Sequence, residues 1–152
     1  GLGIPAEPLF RSSVLCIDLA TENRTVSLDE LCEKDTGKTA NLIMAACMMG
    51  CIAAGANETQ INAAKEYALH IGLAFQIRDD ILDVTGDAKE LGKNIGVDAQ
   101  NARCTYVSIL GVEKAQALVD EHTEKALHAL DAFDADSTFL HEFAEKLAMR
   151  SK

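Results

Sequence analysis

Apolar and polar positions along this chain divide it into helical stretches separated by short, turn-forming breaks. Residues 1–13 contain Pro5 and Pro8, show no sustained period and read as a poorly defined arm; 14–152 form the organised part. Val14–Leu19 is a short strand or the end of a helix, and Asn23-Arg24 marks a turn. Ser27 followed by Glu30 is a capping box, opening a short helix expected to stop near Gly37. From Thr39 to Ala54 nearly every position is small, aliphatic or a thioether, the pattern of a helix buried all round or lining an apolar cavity. Burial is the expectation taken here. Gly55 ends that helix, and Asn57 with Gln60 caps the next, which is expected over 58–84 with a stripe of Ile61, Ala64, Ala68, Ile71, Phe75, Arg78 and Leu82. Residues 85–98, with three glycines, read as a loop, while 99–110, 112–131 and a segment from Ser137 read as helices. Beyond Val14–Leu19, the pattern is helical throughout. The chain is therefore expected to be all-α.

Composition supports that expectation. Of the 152 residues, 48% are hydrophobic but only 5% aromatic, and just two are proline, which suits helices packed through Ala, Leu, Ile and Met. The length fits one domain. A net charge of −10 repels nucleic acid and anionic membrane surfaces, and it repels a diphosphate as well unless metal ions reverse the local sign. The longest apolar run, 40–54, is too short to span a bilayer, so no transmembrane segment is expected. Five cysteines without a CxxC pair or a zinc spacing read as reduced thiols of a cytoplasmic protein, with Cys47 and Cys51 as small core residues sharing a helix face.

The chemistry is concentrated in Gly72–Asp83, GLAFQIRDDILD, and in Lys93 beyond it. On a helix Asp79 and Asp83 share a face with roughly 5–6 Å between Cβ atoms, and Asp80 points about 100° away. Two carboxylates so placed suit a magnesium ion, which takes oxygen ligands, keeps part of its water shell and completes it with phosphate oxygens. A solvated acidic helix edge is the alternative reading of the same residues. Expected near the end of its helix, where the macrodipole disfavours anions, the pair looks locally inconsistent, as functional residues often do. The last two helices read as scaffold, and none of the four histidines is expected to pair as a ligand set.

Taken together, Lys38-Thr39, Gly72–Asp83, Gly86-Asp87, Leu91-Gly92-Lys93 and Asp98 resemble the C-terminal half of the trans-polyprenyl diphosphate synthases, farnesyl and geranylgeranyl diphosphate synthases above all. The resemblance implies part of an all-α bundle, the isoprenoid synthase fold, around a deep cavity. It implies a prenyltransferase of isoprenoid biosynthesis whose partners are an allylic diphosphate and isopentenyl diphosphate and whose cofactor is Mg2+. It carries metal contacts over to Asp79, Asp80 and Asp83, with Asp80 acting directly or through water. Lys38 and Lys93 would hold the diphosphate, Thr39 and Gln76 would face the reacting carbons, Phe75 would wall the isopentenyl site, and Arg103 would keep a positive charge where many relatives have lysine. Lys38, Thr39 and Gln76 are accordingly the catalytic candidates.

The departures are equally specific. The first aspartate-rich motif and the basic residues for isopentenyl diphosphate are missing, Val14-Leu15 stand where Gly-Gln is expected, and Ala102-Arg103-Cys104 replaces Gly-Lys-Ser. Little or no activity is expected of 1–152 alone. A half-bundle would leave helix 39–54 and the face around Phe75 uncovered, so association with another copy or with a complementary half is expected. The alternative class is a non-catalytic subunit or interaction domain that modulates a prenyltransferase partner.

Overall fold

The computed structural model describes residues 26–90 and 104–150, with the backbone alone for 86–90. The described part holds six α-helices and no strand: α1 (Leu28–Asp35), α2 (Asn41–Ala53), α3 (Glu58–Glu90), α4 (Tyr106–Leu110), α5 (Val112–Ala129) and α6 (Thr138–Met149). It is an all-α bundle.

Both anticipated capping boxes form. Ser27 Oγ accepts from Glu30 N at 3.2 Å while Glu30 Oε2 accepts from Ser27 N at 2.9 Å, and Asn57 and Gln60 make the same reciprocal pair at 2.9 and 3.1 Å. Gly55 closes α2 with φ +76°, a left-handed conformation that glycine adopts without a Cβ penalty. The expected stop near Gly37 does not occur. Instead α1 runs through a π-helical turn, Thr36–Ala40, directly into α2, because an extra residue in the ladder re-aims the chain without breaking it.

The long helix α3 is the axis of the structure, packed by α2 on one side and by α5 and α6 on the other. Its buried residues include Tyr67, Ala68, Ile71, Ala74, Ile77 and Ile81, so its apolar surface is wider than the single stripe read from sequence, of which Phe75, Arg78 and Leu82 are only half-buried. One core cluster joins Ala74, Ile77 and Ile81 to Val26, Leu31, Tyr106, Val119 and Ala148; a second joins Tyr67 and Ile71 to Ala126, Leu130 and Ala144. Tyr67 closes the second by donating its hydroxyl to the Leu140 carbonyl at 2.8 Å, and burial pushes its pKa up to about 12.

Three further expectations change. Helix α3 continues to Glu90 rather than ending at Val84, since Gly86 costs a helix only about 1 kcal/mol and no proline intervenes. Residues 91–98 of the expected loop and 99–103 of the following helix lie outside the described residues, and that helix is seen only as Tyr106–Leu110. Finally, α2 is not buried by the described residues: Ala40, just before it, and Met44 are covered, but Leu42, Met49 and Ile52 are 68, 64 and 59% exposed. Among the described residues the expectation of an uncovered helix describes α2 and the burial reading does not, whereas the face around Phe75 is half-buried rather than uncovered. Among the described residues no helix is long and apolar enough to cross a membrane.

Candidate functional site

The site is built on α3, whose helical period places Phe75, Asp79 and Asp83 at successive steps of four residues. Asp83 is exposed and the Asp79 side chain is 43% exposed, so both carboxylates face outward from a helix otherwise sunk in the core. The helix extends well past both, with Asp83 seven residues before Glu90, so neither lies in the terminal turn. The macrodipole penalty inferred from a shorter helix therefore does not apply.

Asp80 goes elsewhere, as the angular offset requires. Its Oδ2 accepts from Tyr106 N at 2.9 Å, at the start of α4. Burial pushes its pKa up to about 6, Asp35 and Asp83 add to the rise, and the Tyr106 hydrogen bond and Lys34 oppose it. The structure thus engages one Asp80 oxygen at α4, while Asp79 and Asp83 face outward. Among the described residues no group of three or more His, Cys, Asp or Glu side chains is placed to hold a metal ion.

Lys38 and Thr39 lie in the π-helical turn between α1 and α2, Lys38 exposed and Thr39 half-buried. That turn is clasped to α3 at Gly72, where an added Cβ would stand 2.8 Å from both Cα and Cβ of Ala40. Only glycine permits this approach. Gln76, half-buried, lies one helical turn beyond Gly72, so the contact fixes the Lys38-Thr39 turn near the Gln76 level of α3. Lys93 and Arg103 lie outside the described residues.

Sequence reasoning missed Arg150, which follows a helix read as scaffold. Arg78 donates from Nε and Nη2 to the Arg150 carbonyl at 3.0 and 2.8 Å and from Nη1 to Gln116 Oε1 at 2.7 Å. The Arg150 guanidinium then lies 4.0 Å from the Phe75 ring centroid and forms an ion pair with Asp79 through Nη2 and Oδ1. Burial lowers its pKa, helped by the nearby Arg78 charge. No local pattern announces a contact spanning 72 residues.

Two outward carboxylates one turn apart are oxygen donors of the kind a hard divalent cation takes. Magnesium commonly binds through one or two carboxylates and takes the rest from water and phosphate. Here Asp79 and Asp83 would be its ligands.

Residues 15–138 match the family model described as polyprenyl synthetase. The chain belongs to that family. It is 37% identical over 133 residues to the farnesyl diphosphate synthase of Bacillus subtilis, covering 88% of this chain and 45% of that protein. With the farnesyl diphosphate synthase of Escherichia coli it shares 38% over 141 residues, 90% of this chain and 47% of the relative. The chain therefore spans just under half the length of these curated family members. Among solved structures, an apo FPP/GFPP synthase from Zymomonas mobilis superposes with a TM-score of 0.75 at 28% identity, covering 90% of this chain and 44% of that one. A Helicobacter pylori geranyltransferase, solved with magnesium and isoprenyl diphosphate, gives 0.64 at 34% identity, covering 85% and 42%. Family membership and the all-α prenyl synthase fold follow from these likenesses.

Proposed function

We propose that this chain forms one wall of a prenyl diphosphate synthase site, serving Mg2+-dependent transfer of a prenyl group from an allylic diphosphate to isopentenyl diphosphate. The observation that carries the reading is the outward pair Asp79 and Asp83 on the helix that also presents Phe75 and Gln76, with a guanidinium already seated as a positive charge on Asp79. The metal, when bound, supplies positive charge against the departing diphosphate. Lys38 and Lys93 bring further positive charge to that group, and Arg103 extends it. Thr39 and Gln76 offer dipoles toward the carbon that becomes cationic, and the Phe75 ring walls the prenyl acceptor while excluding water. Asp80 ties α4 to the site helix through Tyr106 N and assists at the metal directly or through water.

One observation favours a second reading for the chain by itself. Among the described residues, two outward carboxylates and an exposed apolar face of α2 suit a non-catalytic subunit that completes or modulates a partner. Both readings place the working assembly in the cytoplasm, as a homo-oligomer or in association with a complementary half. The test is calorimetric titration of Mg2+ with a diphosphate analogue into the wild-type chain and Asp79→Ala. Heat present in the first and absent in the second supports the site; equal heats remove it. Turnover of isopentenyl and allylic diphosphates by 1–152 alone would exclude the second reading.

A further inference from the structure

Arg150 is held from three directions. Arg78 grips its carbonyl with two N–H groups, the Phe75 ring seats its guanidinium, and Asp79 pairs with it. A planar cation stacked on an aromatic face and bound to a carboxylate is a site with its positive charge already supplied from within the chain. Asp79 has one outward carboxylate to offer, and a guanidinium and a divalent cation make the same demand on its oxygens.

We propose that Arg150 is an internal stand-in for the metal: it and a divalent cation compete for Asp79, so that cation binding releases the guanidinium from Asp79 and uncovers the Phe75 ring. The inference rests on the reading of Asp79 as a metal ligand given above. Its consequence is a coupling between two parts of the site. The same displacement that frees Asp79 opens the aromatic wall expected to meet the prenyl acceptor, so the acceptor surface becomes available only once the cation is in place. By linkage the effect is reciprocal: whatever holds Arg150 in its seat weakens the cation, by the same factor that the cation weakens the seat. The carbonyl grip by Arg78 does not involve the guanidinium and so keeps the Arg150 backbone near the site when the side chain leaves.

The test uses the whole chain and Mn2+, with free ion counted by electron paramagnetic resonance. Asp79→Asn reports the background binding of a chain carrying net charge −10, and the difference from wild type defines the Asp79-dependent affinity. Arg150→Gln is expected to tighten that component roughly fivefold, the size of a partly exposed ion pair worth about 1 kcal/mol. Unchanged or weaker Asp79-dependent binding in Arg150→Gln overturns the competition while leaving the metal reading intact. Mn2+ binding equal in wild type, Arg150→Gln and Asp79→Asn removes the metal reading itself, and the competition with it. If Arg150→Gln loses its helical circular dichroism, Phe75→Leu weakens the same seat with both charges kept, and a smaller gain in the same direction is expected. In the wild-type chain the Arg150 Nε–H resonance should move on adding Mg2+, and Asp79→Asn should move it without metal; a resonance indifferent to both overturns the proposal.

Discussion

The two sides of α3 are finished to different degrees. Toward α5 and α6 the helix is closed by packing and by specific polar contacts: Tyr67 on the Leu140 carbonyl, His70 Nδ1 against His122 Nδ1 at 2.9 Å, Arg78 on Gln116 and the Arg150 carbonyl. Toward α2 the contact is made by small residues, Ala40 against Gly72, and the far face of α2 shows Leu42, Met49 and Ile52 to solvent. Removing apolar surface from water stabilises by about 25 cal/mol per Å2, and those three side chains forgo most of that gain. Among the described residues, one side of the helix is closed by packing, and the other presents the kind of apolar patch that marks an interaction surface. The carboxylates lie on the same helix, so completing the open side and completing the site are structurally linked.

Breaking the closed side should have the largest effect. Ile77 is fully buried on α3, and Ile77→Ala should cost about 2–5 kcal/mol through lost contacts and a residual cavity, read as a lower urea midpoint. The crossing comes next. Gly72→Ala puts a Cβ 2.8 Å from the backbone of Ala40, so α2 and the Lys38-Thr39 turn must shift, at about 1–3 kcal/mol and with weaker Asp79-dependent diphosphate binding. A stability at the wild-type level would mean that the crossing is loose.

The histidine pair makes the closed side sensitive to acid. One proton shared between facing Nδ1 atoms satisfies both rings, and burial lowers both pKa values, that of His122 to about 4 with His70 and Lys125 adding to the fall. Glu66 and Glu121 oppose the shift at His70, where Lys125 adds to it. The unfolded chain therefore binds more protons in acid than the native one. The contribution is intact above the ordinary histidine value of 6.5 and is lost progressively as pH falls from there toward about 4. After discounting for partial exposure, the loss should reach about 1–2 kcal/mol. His122→Gln should flatten the change in unfolding midpoint between pH 7 and pH 5; an unchanged slope would show that the pair does not contribute. The open side should give the smallest effect on stability. Met49→Ser with Ile52→Ser should change it by less than about 0.5 kcal/mol while reducing self-association by light scattering, and a large destabilisation would show that α2 is covered within the chain after all.

How much was legible depended on how local the cause was. Capping boxes at Ser27 and Asn57, the glycine stop at Gly55 and the helical character of α3, α5 and α6 each depend on residues within four positions of one another, and all were readable. Ends were less so, as the passage of the chain through Gly37 and of α3 through Gly86 shows: a glycine weakens a helix but does not stop one. The angular separation of Asp80 from Asp79 followed from helix geometry, whereas its partner at Tyr106 did not. Arg150 had no signature, because what gives it a role is how close the end of α6 comes in space to Phe75 and Asp79 inside α3.

By itself, then, the sequence determined an all-α chain, its main helix starts and the shared face of Asp79 and Asp83, because helix formation and side-chain period are set by near neighbours. Only the tertiary structure decided that His70 meets His122, that Asp80 turns to Tyr106, that α2 lies open and that Arg150 occupies Asp79. These are outcomes of which helices fill one another's surfaces, and that choice is made by packing across the whole fold rather than within any stretch of it.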